Sequence, residues 1–209
     1  MTLWHLFQSG GPLMWPLLLC SLVVMTLVFE RTLFWLKLGQ KRNHPLVEEV
    51  LRLAGQGDWP AIEEKTKESR DFVVLVLVAA LGHRHSVMTR AMEAQAEVSL
   101  HRMRRFMSAL DTMITVAPLL GILGTVLGII VSFEMLGAGG GSDPRAVTAG
   151  IAQALVTTAL GLAIAVMAVV PYNFFNSRIR RAGHLMEKYG SRLEMVCQKK
   201  KAGAGRDMP

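Results

Sequence analysis

Three long apolar stretches dominate the pattern of hydrophobic and polar positions along the chain. The first runs from Pro12 to Phe29, the second from about Met113 to Met135, and the third from roughly Val147 to Phe175. A bilayer core about 30 Å thick needs roughly 20 consecutive apolar residues in a helix. Because a chain of 209 residues is too small to bury three such helices in a soluble core, the pattern predicts an all-α membrane protein with three transmembrane helices.

The other positions predict shorter helices. The run from Phe72 to Leu81 has ten residues, too few to span, and indicates a buried helix in a helical layer. The Gly55–Gly57 stretch interrupts one predicted helix, and Asp58 is typical of the N-cap of the next. From about Val87 to Ile114, apolar residues recur at three- and four-residue steps. This spacing predicts one continuous helix that enters the second span from a long extension.

The pattern divides the chain into seven segments. They are an N-terminal segment (1–11), a first span (12–36), a helical loop (37–108), a second span (109–136), a short turn (137–146), a third span (147–175) and a basic tail (176–209). The end of the tail, KKKAGAGRDMP, is expected to be disordered because it is rich in Lys and Gly and poor in apolar residues.

The distribution of Lys and Arg predicts the orientation of the spans. Residues 1–11 carry no Lys or Arg and the turn carries only Arg145, whereas the loop carries twelve and the tail nine. The positive-inside rule places the loop and the tail in the cytoplasm and the N-terminus outside. Since a secretory signal begins with a basic segment, the first apolar run is expected to be retained.

Composition excludes several classes of protein. The chain is 51% hydrophobic and 19% charged and has two Cys, which excludes a disulfide scaffold. Its net charge of +7 lies in segments that set topology and contact anionic lipid, so no nucleic-acid partner is expected. His83, His85 and His101 do not have the spacing of a metal motif, and no sequence signature of a hydrolase or a phosphate loop is present. We therefore expect no enzymatic activity, no metal and no cofactor.

Small residues recur at helical spacing in the second and third spans. They include Gly121, Gly124, Gly128, Gly150 and Gly161. Small residues let helices approach closely in lipid, where packing rather than hydrophobicity drives helix association. These five glycines are therefore predicted to be helix-packing positions.

Four polar residues lie beside these glycines, namely Thr125, Gln153, Thr157 and Thr158. A buried amide without a partner costs on the order of 1–3 kcal/mol, and Gln153 lies one turn from Thr157 on the same helix face. A threonine can satisfy its hydroxyl on a carbonyl of the preceding turn, so each threonine alone is compatible with plain packing. Together the four predict a polar line through a helical bundle, and packing is the alternative.

Two stretches of the sequence carry a family resemblance. APLLGILGTVLGIIVSF (Ala117–Phe133) and GIAQALVTTALGLAIAVMAVVPYNFF (Gly150–Phe175) resemble the second-span and third-span signatures of the MotA/TolQ/ExbB proton channel family. The stretch ERTLFWLKLG after the first span also fits the pattern. The size and the three spans resemble the ExbB and TolQ branch more than MotA, which is larger and has four spans.

The resemblance implies a subunit of the bacterial inner membrane that forms a homopentameric bundle around a central pore. It implies a partner of the ExbD or TolR type, with one span whose Asp takes up and releases protons. Such a motor couples the proton motive force to transport, envelope maintenance or motility, with a TonB-like, TolA-like or motility protein as a further partner. By position, Thr125 and Thr158 match the family's pore threonines. Thr157 is a further pore-lining candidate because it shares the helix face of Gln153.

One residue departs from the family pattern. ExbB and TolQ have Glu where this chain has Gln153, and Gln cannot ionise. If protons flow, the resemblance implies that the titrating group is the partner's Asp, with Gln153 and the threonines as hydrogen-bonding groups. Two alternatives stay open: a motor coupled to Na⁺, and a pentameric scaffold that conducts no ions.

Overall fold

The structure is a computed structural model that describes residues 11–83, 87–138 and 144–204. These residues form seven helices: α1 (Met14–Gln40), α2 (His44–Gln56), α3 (Trp59–Thr66), α4 (Phe72–Gly82), α5 (Met88–Arg104), α6 (Met107–Ala138) and α7 (Pro144–Ala204). Helices α1, α6 and α7 contain stretches long and apolar enough to cross a membrane. The predicted all-helical class and the three candidate spans are therefore confirmed.

Some predictions fall outside the described residues. They concern almost all of the N-terminal segment, His85, the centre of the turn at residues 139–143, and the last five residues. The orientation of the spans and the segment boundaries relative to a bilayer also stay predictions.

The chain divides into two compact units. We call residues 1–31 and 106–175 the apolar unit, and residues 32–105 and 176–209 the charged unit. In the apolar unit, buried side chains of α1, α6 and α7 form a core that includes Leu17, Val24, Leu110 and Ile164. Many of its remaining large apolar side chains are exposed, as expected for helices that face lipid or neighbouring helices rather than water.

The charged unit has a core of buried apolar side chains built around α4. Seven of the eleven residues of α4 are buried, so the predicted buried helix is confirmed. Helices α2 and α3 of this unit begin at polar caps: Asn43 accepts from the N–H of Leu46, and Asp58 accepts from the N–H of Ala61. The N-cap predicted at Asp58 is thus confirmed, and Gly57 ends α2 in the left-handed conformation that glycine favours.

The prediction of one continuous helix from Val87 into the second span is wrong. Helix α5 ends at Arg104, Arg105 is extended, and Phe106 has a φ of 65° before α6 begins at Met107. A bulky residue adopts this conformation only where packing stabilises it, and the guanidinium of Arg31 lies 5.5 Å from the centroid of the Phe106 ring. The periodicity did not indicate the break, because the buried Met residues on its two sides still follow the helical spacing.

The continuous extension belongs instead to α7, which runs for 61 residues through Pro171. A proline inside a helix removes one backbone hydrogen bond but need not end the helix. The helix continues to Ala204, so the prediction of disorder is wrong for residues 199–204. The buried residues Ile179, Met186 and Leu193 on this extension explain its persistence, because they give the tail an apolar face that its composition conceals.

Candidate functional site

The small residues of α6 and α7 form one close antiparallel contact. Along it, Ser132 lies beside Gly150, Gly128 beside Ala154, and Gly124 beside Thr157. Residue numbers rise on one helix as they fall on the other, so the two helices run in opposite directions. We call this contact the α6–α7 seam. It brings together all five glycines that the sequence analysis assigned to helix packing.

The seam is tight enough that backbone meets backbone. A Cβ at Gly161 would lie 2.5 Å from the carbonyl oxygen of Ala117 and 3.1 Å from the Cα of Gly121. A Cβ at Gly121 would lie 3.0 Å from the Cα of Thr158. Backbone atoms cannot rotate away as side chains do, so glycine is required at these two positions for the helices to approach this closely.

Thr158 and Thr125 meet across this seam. The Thr158 hydroxyl donates to the carbonyl oxygen of Gly121 at 2.7 Å and lies 3.4 Å from the Thr125 hydroxyl. Thr125 also donates to the carbonyl of Ile122 in its own helix at 2.6 Å. Both threonines are half-buried. The structure thus pairs two of the four predicted polar residues and gives one of them a bond that links the helices.

Thr157 has a different environment although it is the next residue. It is 1% exposed, and its methyl group contacts Gly124. Its hydroxyl donates to the carbonyl of Gln153 one turn earlier, at 2.9 Å. A hydroxyl satisfied in this way by its own helix is compatible with tight apolar packing. The geometry therefore favours a packing role for Thr157.

Gln153 does not join the threonine pair. Its side-chain amide lies against Gly11, just before α1, so closely that the amide would overlap a Cβ at that position. Gly11 has a φ of 70°, a second reason why glycine suits this position. Gln153 contacts a predicted threonine through its backbone carbonyl, which accepts from the Thr157 hydroxyl. The predicted continuous polar line is therefore resolved into a threonine pair and a separate amide.

The described acids of the apolar unit lie well away from Thr125 and Thr158 in the sequence. Among its described residues, the acids are Glu30 after the first apolar run, Asp111 at the start of α6 and Glu134 near its end. The pair can donate and accept hydrogen bonds and offers hydroxyl and carbonyl oxygens, but it cannot itself release a proton near neutral pH.

The sequence analysis missed Arg31. It is only 2% exposed, and its Nε and Nη2 donate to the carboxylate of Glu30 at 2.5 and 2.7 Å. In the sequence, Arg31 comes directly after an apolar run, a position that indicates the end of a span. The guanidinium lies beside the ring of Phe106, 75 positions later in the sequence, and local pattern does not reveal such a contact.

The helices and their seam together define a class of protein. Three long apolar helices, large exposed apolar side chains and a small-residue seam are the features of a multi-pass helical membrane protein. The sequence profile of the MotA/TolQ/ExbB proton channel family matches residues 64–188, which include the seam. The chain belongs to this family, whose members are channel-type, energy-transducing membrane subunits rather than enzymes, and within it to the ExbB type.

Individual relatives agree with the family assignment. The biopolymer transport protein ExbB-like 1 of Synechocystis is 36% identical over 197 residues, covering 91% of this chain and 77% of the relative. ExbB-like 3 of the same organism is 33% identical over 195 residues, covering 90% and 92%. The biopolymer transport protein exbB1 of Vibrio cholerae is 35% identical over 175 residues, covering 80% and 76%.

Proposed function

We propose that this chain is the ion-conducting subunit of an inner-membrane motor that couples the proton motive force to work across the cell envelope. The observation that carries the proposal is the hydroxyl pair of Thr158 and Thr125 within an otherwise apolar helical contact. Its position agrees with the family signatures that the two spans resemble.

The motor would consist of several copies of this chain around a central pore, five by analogy with the family. A single-span partner of the ExbD or TolR type would occupy that pore. Because the described acids of the apolar unit lie well away from the threonine pair in the sequence, the titrating carboxyl group would come from this partner's span. A further TonB-like, TolA-like or motility protein would receive the work.

The threonines would act on the partner's acid rather than on protons directly. A carboxylate inside a membrane is costly unless hydrogen-bond donors stabilise it. The Thr125 and Thr158 hydroxyls can rotate away from their present acceptors and donate to such a carboxylate. Gln153, which lies against Gly11, would stabilise the outer end of the bundle rather than carry protons.

The proposed topology has the N-terminus in the periplasm and the charged unit in the cytoplasm. The basic residues of the loop and tail support this orientation through the positive-inside rule.

Ion flux in vesicles tests the proposal. The chain is purified from its native membrane together with whatever copurifies, reconstituted, and assayed for internal acidification under an imposed membrane potential. We expect Thr158→Val to slow the flux at least tenfold, whereas Thr158→Ser, which keeps the hydroxyl, retains most of it. Wild-type flux in Thr158→Val would overturn the assigned role of the threonine.

The same vesicles separate the alternatives. Flux that requires Na⁺ on the outer side and is insensitive to the pH gradient would identify Na⁺ coupling; the oxygen ligands of the threonine pair are chemically suited to that ion. A wild-type complex that conducts neither ion, with its acid-bearing partner present, would favour the scaffold. The Gln153 side chain favours the scaffold, because it replaces an acid found in ExbB and TolQ.

A further inference from the structure

A second polar site lies in the charged unit, far along the sequence from the threonine pair. It is a cavity of about 460 Å³ between the end of α1, the start of α4 and the end of α5. Three cationic side chains line it: Lys41, Arg70 and Arg102. Among the residues that line it there is no acid, so the charged groups of its lining are all positive.

Neighbouring charge does not neutralise Lys41 and Arg70. Asp71 follows Arg70 in the sequence, but its carboxylate is fully buried and already accepts from Arg42 at 2.9 Å. It also accepts from the backbone N–H groups of Asn43 and Val73. Lys41 and Arg70 form no ion pair with any residue in the described parts of the chain. Like charges around one cavity repel, and a bound anion would relieve that repulsion.

The remaining walls of the cavity are mostly apolar. Phe34 and Leu38 of α1 and Leu75 of α4 line it together with the cations. Ser69 adds a hydroxyl that accepts from the N–H of Asp71 at 3.4 Å, which leaves its proton free to donate. A ligand that combines a phosphate with an apolar chain matches both kinds of wall, whereas a free inorganic anion matches only one.

The end of α1 shows the same transition along its exposed surface. Leu33 and Leu36 are 40% and 59% exposed, and the next exposed side chains include Lys37 and Lys41. A change from exposed apolar residues to basic residues within two turns is typical of the level of lipid headgroups. The cavity lies at the basic side of this transition.

We propose that this cavity binds the headgroup phosphate of an anionic phospholipid. Arg70 would hold the phosphate oxygens through its planar guanidinium, Lys41 would add a point charge, and Phe34 and Leu38 would contact the first methylenes of an acyl chain. The proposal requires that the chain lie in a membrane but not that it conduct ions, so failure of the proposed function would leave it standing.

Native mass spectrometry of the full chain in mild detergent tests this proposal. Phosphatidylglycerol, phosphatidylcholine and water-soluble glycerol phosphate are titrated separately. The pocket variant is the double substitution Lys41→Gln with Arg70→Gln. The control is Arg90→Gln with Lys199→Gln, which removes the same charge at exposed positions that do not line the cavity.

We expect phosphatidylglycerol to bind more tightly than phosphatidylcholine, and the pocket variant to lose roughly 25-fold of that affinity, given about fivefold per basic contact near a membrane surface. The control should lose less than roughly twofold. Equal losses in the two variants would overturn the proposal in favour of general surface charge. Glycerol phosphate binding as tightly as the lipid would reassign the cavity to a soluble phosphate compound.

A contact between the cavity and another subunit would also contradict the proposed lipid binding. If the pocket variant dissociates the oligomer while its lipid binding per chain stays at the wild-type level, the cations contact another subunit instead. Gel filtration and a thermal unfolding midpoint within about 3 °C of wild type verify that the pocket variant is folded, since surface substitutions usually cost less than about 0.5 kcal/mol.

Discussion

The apolar unit and the charged unit are held together by different means. In the apolar unit, α6 and α7 adhere through glycines and alanines that bring backbone against backbone. In the charged unit, large side chains such as Phe72 and Leu77 fill a core, and a buried carboxylate satisfies several donors at once. Water drives large apolar side chains inward, whereas lipid gives them no preference and leaves close packing as the main attraction between helices.

The same difference governs polar groups. Within the α6–α7 seam, the threonine hydroxyls use carbonyls of helix backbone, because every donor there needs a partner close by. In the charged unit, Asp71 connects the segment before α2 to the start of α4 and pairs with Arg42. We therefore expect added volume to destabilise the α6–α7 seam of the apolar unit, and removal of a buried charge to destabilise the charged unit.

The largest expected effect is the loss of the Asp71 carboxylate. Asp71→Ala leaves Arg42 and two backbone N–H groups without their acceptor, and breaking such a buried pair costs about 3–5 kcal/mol. Hydrogen exchange measured by mass spectrometry should show amides of α2 and α4 exchanging at least 100-fold faster. Glu64→Ala, which removes an exposed carboxylate of the same unit, should change the exchange by less than about threefold. Unchanged protection in Asp71→Ala would contradict a central role for this carboxylate.

Added volume in the α6–α7 seam should have the next largest effect. Gly161→Ala places a methyl group 2.5 Å from the Ala117 carbonyl, so the helices must separate, at a cost of about 1–3 kcal/mol. Unfolding in mixed detergent micelles measures this loss. Gly39→Ala is the matched control, because a Cβ there meets no described atom within 4 Å. Equal stability of the two variants would show that the seam is looser than the structure indicates.

Removal of single hydroxyls should have a smaller effect that distinguishes neighbouring threonines. Thr158→Val removes a hydrogen bond between helices, which is worth about 0.6 kcal/mol on average in membrane proteins. Thr157→Val removes a hydrogen bond within α7 and should cost less, although Thr157 is the more buried residue. The same micelle unfolding assay compares them. A larger loss for Thr157→Val would mean that burial, rather than the link between helices, sets the contribution.

The smallest effect concerns surface ion pairs of the charged unit and depends on pH. Hydrogen bonds from Arg52 and then Lys65 lower the pKa of Glu49 from 4.5 to about 2, and a hydrogen bond from Arg192 lowers the pKa of Glu48. A carboxyl group whose pKa is lower in the folded state contributes stability above its unfolded pKa, and that contribution is lost as pH falls through the folded pKa. For Glu49 the loss is expected between about pH 4.5 and about pH 2.

Exchange of α2 and α3 amides, corrected for intrinsic rates, measures this dependence. Lys65 of α3 donates to Glu49 of α2 at 2.7 Å, so protonation should loosen the contact between these helices first. Glu49→Gln should remove most of the dependence in this range. An unchanged pH profile in Glu49→Gln would assign the pH dependence to other carboxylates. The expected effect is small because exposed ion pairs commonly contribute close to zero to stability.

Much of the fold follows from local pattern. Runs of apolar residues predict α1, α6 and α7 as candidate spans, and the short run at Phe72–Leu81 predicts a buried helix. The five seam glycines also follow from spacing, because residues three and four apart share a helix face wherever the helix lies. These features depend only on neighbours in sequence, which is why periodicity reveals them.

Other features depend on residues far apart in the chain. The break at Phe106 accompanies a contact with Arg31, and the pairing of Thr125 with Thr158 requires two helices in one particular register. The contact of Gln153 with Gly11, rather than with the threonines, likewise joins residues more than 140 positions apart. Sequence periodicity identifies which face a residue occupies on its helix. Only packing between helices establishes what that face meets, because the energies that select a register come from contacts between distant segments.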